Sequence, residues 1–133
     1  SMWGDRAKMA LSQGMAPLVE PTLQRWFTQD YREKNPTTVA QVGQMIASTP
    51  PEGYAGCCSA IGGLDTLEKL RNLKMPCLVM VGEQDMGTPP AMSELIHQHW
   101  PDSSYVVLPN AAHISNIEQA QAFTDAVMKF LPH

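Results

Sequence analysis

Two residues stand out for the chemistry they could do: Asp85 in the run "VMVGEQDMGTPP" and His113 in "VVLPNAAHIS". A carboxylate hydrogen-bonded to an imidazole fixes the ring's tautomer and steadies the imidazolium once the ring takes a proton, which is the acid-and-base part of a nucleophilic triad. Each residue lies just past a short apolar run that reads as a strand. In open parallel sheets, ligands and catalytic groups collect beyond the carboxyl ends of the strands, and neighbouring strands lie only about 5 Å apart. Taken singly, Asp85 reads as a turn former in a Gly- and Pro-rich loop, and His113 as a helix-start residue satisfied by backbone. Taken together, at successive strand ends in the order acid then base, they read as a catalytic pair. His97 and His99 in "LIHQHW" lie two apart on a helix, do not share a face, and are expected to face solvent.

A strand-end pair of this kind needs a parallel βαβα unit to position it, and the second half of the chain has that pattern. "LDTLEKLRNL" predicts a helix with Asp65 as its N-cap, and "MPCLVMVG" is a continuous apolar run that suits a strand buried on both faces. "TPPAMSELIHQHW" predicts a helix capped by Thr88 with Pro89 in the first position. "SSYVVLP" is a second short strand, and "ISNIEQAQAFTDAVMKFL" a terminal helix with Ile117, Phe123, Val127 and Phe130 as its core face.

The first half, from Trp3 to about Gly62, is helical and broken by prolines. "DRAKMALSQGM" meets Gly14 near its end, and "APLVEPTLQRWFT" offers Leu18, Leu23, Trp26 and Phe27 as a buried face, with Pro21 kinking or starting a helix. "NPTTVAQVGQMIAST" begins with Asn35 as N-cap and Pro36 in the first position. "EGYAGCCSAIGG" is a short helix of small residues ending at the Gly62-Gly63 pair. The leading Ser1-Met2 pair is given no part in the fold.

At 133 residues the chain is long enough for one compact domain or a piece of a larger one. Hydrophobic residues at 44% and charged residues at 17% are ordinary globular usage. A net charge of −4 leaves no basic footprint for nucleic acid. No apolar run approaches the roughly 20 residues of a membrane span, and the first residues lack a signal-peptide core, so a cytoplasmic protein with no membrane partner is expected. Three cysteines, Cys57, Cys58 and Cys77, are an odd number with two adjacent, a pattern that suits free thiols and gives poor zinc spacing. No metal site is expected.

"GEQDMGTPP" and "AAHISNIEQAQAFTDAVMKFL" resemble the last two catalytic segments of α/β-hydrolases, and "RWFT", "PEGYAGCCSAI" and "HISNIEQ" resemble 3-oxoadipate enol-lactonases in particular. The resemblance runs from about Trp3 to Leu131. It implies that Asp85 is the triad acid and His113 the general base, that Trp26 lines the substrate pocket, and that no cofactor is used. It divides the chain into a helical cap, residues 1–63, and residues 64–133, a βαβα unit from the C-terminal end of the hydrolase sheet. The fold class expected is therefore α/β and incomplete. The implied reaction is hydrolysis of a small enol-lactone or ester in aromatic-compound breakdown, the β-ketoadipate pathway.

Such enzymes also need a serine on a Gly-x-Ser-x-Gly elbow and an oxyanion hole from an earlier loop. No serine of this sequence has a glycine two places before it. The family places the elbow upstream of the cap, so the chain is expected to be the C-terminal half of such an enzyme, inactive alone. "GCCSA" offers a loose cysteine version of the elbow at Cys58, but "STPPEGYA" before it is a turn and not a strand, and a packing role in a cap helix fits it better. An unpaired apolar strand edge at Cys77–Val81 is expected to lead to a homodimer or to pairing with a complementing N-terminal half. The other reading, a non-catalytic interaction or remnant domain that keeps part of the fold, is distinguished by whether complementation restores hydrolysis.

Overall fold

A computed structural model describes residues 1–132. The chain forms two compact units: residues 1–24 with 32–65, and residues 25–31 with 66 onward.

The first unit is helical. Helix α1 (Met2–Gln13) is capped by Ser1, whose Oγ accepts from the Gly4 amide at 3.2 Å, so the leading serine takes part in the fold after all. It stops at Gly14, where φ of 75° suits a residue without Cβ. Helix α2 (Ala16–Trp26) carries Pro21 inside it. The lost amide bond is tolerated with Pro21 exposed and Thr22 and Leu23 buried. A short α3 (Gln29–Lys34) was not foreseen in the sequence. Asn35 and Pro36 start α4 (Pro36–Ala47) as expected, and α5 (Pro51–Gly62) runs to the Gly62-Gly63 pair. The interior of this unit is Ala10, Met15, Leu18, Leu23, Val42, Ile46, Ala55 and Cys58. α4 approaches α2 closely at Gly43, where a Cβ would lie 3.3 Å from Leu23.

The second unit is built on two parallel strands, β1 (Cys77–Gly82) and β2 (Ser103–Leu108), in register from Cys77 opposite Ser103 to Gly82 opposite Leu108. Helix α6 (Pro90–His99) is the crossover between them. It covers one sheet face: the Tyr105 hydroxyl donates to the Pro90 carbonyl at 3.0 Å, and His97 stacks on Tyr105. Val79 and Val81 are buried, whereas Leu78 and Met80 on the opposite face are only half-buried. The expectation of a strand buried on both faces is thus met on one face. On the other, Leu78, Ser104 and Val106 line, with Ala126, Lys129 and Phe130, an open groove of about 510 Å³.

Three local expectations change. "LDTLEKLRNL" forms a 3₁₀ turn (Leu67–Asn72) led by Thr66 rather than an α-helix capped by Asp65. α6 begins one residue later than expected, with Pro89 at the cap position and Pro90 first, and Thr88 does not cap it. The terminal helix is broken at Gln119 into α7 (Ser115–Glu118) and α8 (Ala120–Phe130). Gln119 leaves helical dihedrals, and its side-chain amide donates to the Asn110 carbonyl at 3.1 Å. Ile117, Phe123, Val127 and Phe130 are all half-buried, because a two-stranded sheet offers α8 little surface to cover. His97 and His99 are not solvent-facing. His97 Nδ1 pairs with Ser103 Oγ at 2.8 Å, and His99 bridges the Leu95 carbonyl and Glu68. No described helix is long and apolar enough to cross a membrane.

Candidate active site

The second unit joins the two strand ends by backbone. Beyond β1 the Glu83 amide donates to the Leu108 carbonyl at 2.9 Å and the Gln84 amide to the Ala111 carbonyl at 2.8 Å. The Asp85 amide then turns back to the Gly82 carbonyl at 3.1 Å. Only glycine fits at position 82, since a Cβ there would collide with the carbonyl oxygens of Ala111 and Ala112. The two loops that carry Asp85 and His113 therefore leave the sheet in contact.

Asp85 is buried, and its carboxylate accepts from four donors. Oδ1 takes the amides of Gly87 at 2.8 Å and Thr88 at 2.9 Å. Oδ2 takes the Thr88 hydroxyl at 2.9 Å and lies 2.8 Å from His113 Nδ1. Burial pushes the Asp85 carboxyl up, but the Thr88 amide, His113 and the Thr88 hydroxyl together outweigh it and hold the group below its ordinary value. An ionised Oδ2 can only accept, so Nδ1 of His113 carries the proton, and in the neutral ring Nε2 is then the acceptor.

His113 itself is partly open, its side chain 37% exposed, so the carboxylate is shielded while the imidazole is reachable. Trp26, from the end of α2, stacks against the imidazole with ring centroids 6.0 Å apart and planes at 29°. The Ile114 amide donates to the Trp26 carbonyl at 3.1 Å, which fastens this segment to the histidine's loop. The structure thus brings Asp85, His113 and Trp26 into one cluster.

Cys58 stands elsewhere, inside α5 of the helical unit and 2% exposed, with no strand before it and no elbow around it. Among the described residues no group of three or more His, Cys, Asp or Glu side chains is arranged to hold a metal ion.

Two contributors were missed in the sequence. Thr88, read as a helix cap, instead places its hydroxyl on Asp85, 3.3 Å from His113 Nδ1. The signal was there in "DMGT": an Asp followed three residues later by Thr closes a turn onto its own carboxylate. Glu118 is buried and accepts from the Thr28 amide at 2.7 Å, the Thr28 hydroxyl at 2.8 Å and the Ala112 amide. Nothing local distinguishes it from a surface carboxylate on a helix, because one of its partners is ninety positions away.

Residues 6–120 match the model of the alpha/beta hydrolase fold family. The chain belongs to that family. It is 38% identical over 125 residues to 3-oxoadipate enol-lactonase 2 of Acinetobacter baylyi, covering 94% of this chain and 46% of that protein. The crystal structure of the enol-lactonase from Burkholderia xenovorans LB400 superposes with a TM-score of 0.93 at 40% identity, over 96% of this chain and 49% of that one. A pimeloyl-[acyl-carrier protein] methyl ester esterase of Neisseria meningitidis is 34% identical over 81 residues, 61% of this chain and 32% of that protein. The fold class expected from the sequence, an α/β-hydrolase with an incomplete sheet, is the one found. The chain spans about half the length of the enol-lactonases it matches.

Proposed function

We propose that this chain supplies the acid and base of a cytoplasmic, cofactor-free serine hydrolase that opens a small enol-lactone, with residues 1–63 as a helical cap segment and residues 64–133 as part of the hydrolase core. The observation that carries the proposal is the 2.8 Å pair of Asp85 Oδ2 and His113 Nδ1 at successive parallel strand ends, with the imidazole partly exposed. Similarity to two enol-lactonases supports the lactone over other acyl substrates, and the stacked Trp26 supports a flat, unsaturated ring beside the base.

In this reading the nucleophile is a serine from a Gly-x-Ser-x-Gly elbow outside these residues. His113 Nε2 takes the serine proton as Oγ attacks the lactone carbonyl, and Asp85 stabilises the imidazolium that forms. When the ring carbon–oxygen bond breaks, the imidazolium protonates the leaving enolate oxygen, and the enol tautomerises to a ketone. Water, deprotonated by the same Nε2, then attacks the serine ester, and the imidazolium returns that proton to the serine Oγ as it leaves, which frees the acid and restores both groups. Without the nucleophile and the oxyanion donors the pair has nothing to activate, and the chain on its own turns over no substrate.

The test is complementation: the chain mixed with a separately expressed N-terminal half of an enol-lactonase, assayed on an enol-lactone and on a methyl ester. Lactone hydrolysis that vanishes in His113→Ala is the expected result. A well-folded complex without hydrolysis favours the non-catalytic reading, and faster methyl ester cleavage corrects the substrate class. On its own, the chain is expected to dimerise through the free edge of β1 at Cys77–Val81, since a two-stranded sheet has both outer edges open. A monomer in light scattering at micromolar concentration refutes that association.

A further inference from the structure

The network around Glu118 is more than packing. Its carboxylate is 92% buried by residue, being 8% exposed, and it accepts from donors on two segments far apart in sequence. One is Thr28, two residues after Trp26. The other is Ala112, the residue before His113. A buried carboxylate is tolerated only where donors replace its water, and here the replacement falls on the two segments that present the imidazole and the ring stacked on it.

We infer that Glu118 is a positioning residue: it locks Trp26 against His113 and thereby sets the orientation of the base. The inference rests on the reading of His113 as the base given above. Three features support it. Oε1 fixes Thr28 through both its amide, at 2.7 Å, and its hydroxyl, at 2.8 Å, so the segment is pinned at two points. Oε2 takes the Ala112 amide, which sets the backbone from which the His113 side chain departs. The third tie, from Ile114 N to Trp26 O at 3.1 Å, lies on the other side of His113 and closes a ring of bonds around the Trp26–His113 stack. Gln119, next in the chain, leaves the helical path, and that break separates the turn bearing Glu118 from α8. The Asp85 contacts fix one ring nitrogen of His113, and the Trp26 stack fixes the ring plane. Second-layer bonds of this kind hold a reactive side chain within the narrow geometry that catalysis needs.

The experiment reads geometry, so it stands whether or not the complemented enzyme proves active. In isotope-labelled chain, nuclear Overhauser cross-peaks between the Trp26 indole and the His113 imidazole protons are measured in Glu118→Gln, Thr28→Val and Thr28→Ser, at a temperature where each is folded. Glutamine keeps the size but has one acceptor oxygen, so it can serve Thr28 or Ala112 but not both. The expected result is a loss of at least about threefold in cross-peak intensity in Glu118→Gln and Thr28→Val, with Thr28→Ser close to wild type. The Gly87 and Thr88 amide resonances, which report on Asp85, stay unchanged. Variants that melt earlier yet keep full Trp26–His113 cross-peaks while folded overturn the inference and leave Glu118 a purely structural group. If Glu118→Gln does not fold, Thr28→Val against Thr28→Ser decides the matter by the same criterion. Failure of His113→Ala to affect complemented hydrolysis would count against the catalytic reading and not against this geometry.

Discussion

Asp85→Asn tests the acid–base pair at the level of a single proton. The two oxygens of Asp85 have different partners: Oδ1 accepts from the backbone amides of Gly87 and Thr88, while Oδ2 faces the Thr88 hydroxyl and His113 Nδ1. In the asparagine variant two amide donors require the carbonyl oxygen at the Oδ1 position, which puts the NH₂ group opposite Nδ1. Nδ1 must then accept, the ring proton moves to Nε2, and the lone pair that would take the serine proton is gone. In a serine triad the same exchange lowers kcat by about 10⁴-fold, which corresponds to about 5.5 kcal/mol of transition-state stabilisation. Two assays check this. Nitrogen chemical shifts of His113 in the chain alone report the tautomer, and kcat in the complemented enzyme reports the cost. The wild type is expected as the Nδ1–H tautomer and the variant as Nε2–H, with kcat down by about three to four orders of magnitude. A variant that keeps the Nδ1–H tautomer, or an unchanged kcat, would refute the assignment of Asp85 as the orienting acid.

The pH dependence of stability follows from the same carboxylate. Its folded pKa is below the ordinary 3.8, so it stabilises the fold fully above that value and progressively less as the pH falls through the folded pKa. Urea unfolding of wild type against Asp85→Asn should therefore show a stability difference that is constant near neutrality and shrinks below about pH 4; a difference that widens on acidification contradicts it. Gly82→Ala forces a methyl into two backbone carbonyls and is expected to cost at least about 3 kcal/mol, measured as a fall in melting temperature or loss of soluble protein. A variant as stable as wild type would mean that the two strand-end loops do not meet there. Under native conditions a thiol reagent should label exposed Cys57 first, Cys77 more slowly because burial pushes its thiol up, and Cys58 only on unfolding. Rapid native labelling of Cys58 would reopen it as a nucleophile.

How much of this was legible in the sequence depended on the range of the interactions. Elements whose signals are local were readable: Gly14 ending α1, Asn35-Pro36 opening α4, and the apolar runs of β1 and β2. Asp85 and His113 could be singled out because parallel topology alone places strand ends together. Thr88 was mistaken for a cap because "TPP" satisfies the rules for a helix start, while in three dimensions a nearby carboxylate competes for its hydroxyl and wins. Glu118 was invisible for the opposite reason. A carboxylate gains its meaning from the donors around it, and two of the three here come from Thr28, which no local window connects to Glu118.

The same distinction explains why the Asp85–His113 pair is held in place by its own surroundings. The groups described around His113 come from residues 25–31 and 66 onward, one compact unit with its own backbone ties. Asp85 draws its four donors from its own turn and its neighbouring loop: the Gly87 and Thr88 amides, the Thr88 hydroxyl and His113. The His113 ring is held by Asp85 at Nδ1 and by the Trp26 face. In the proposed reading, the nucleophile and the oxyanion donors contribute only when an acyl carbon is attacked, so assembly of the Asp85–His113 pair and completion of a catalyst are separable steps. Complementation should therefore restore turnover without shifting the His113 tautomer; a tautomer that changes on mixing would mean that the pair is assembled by its partner half and not by its own loops.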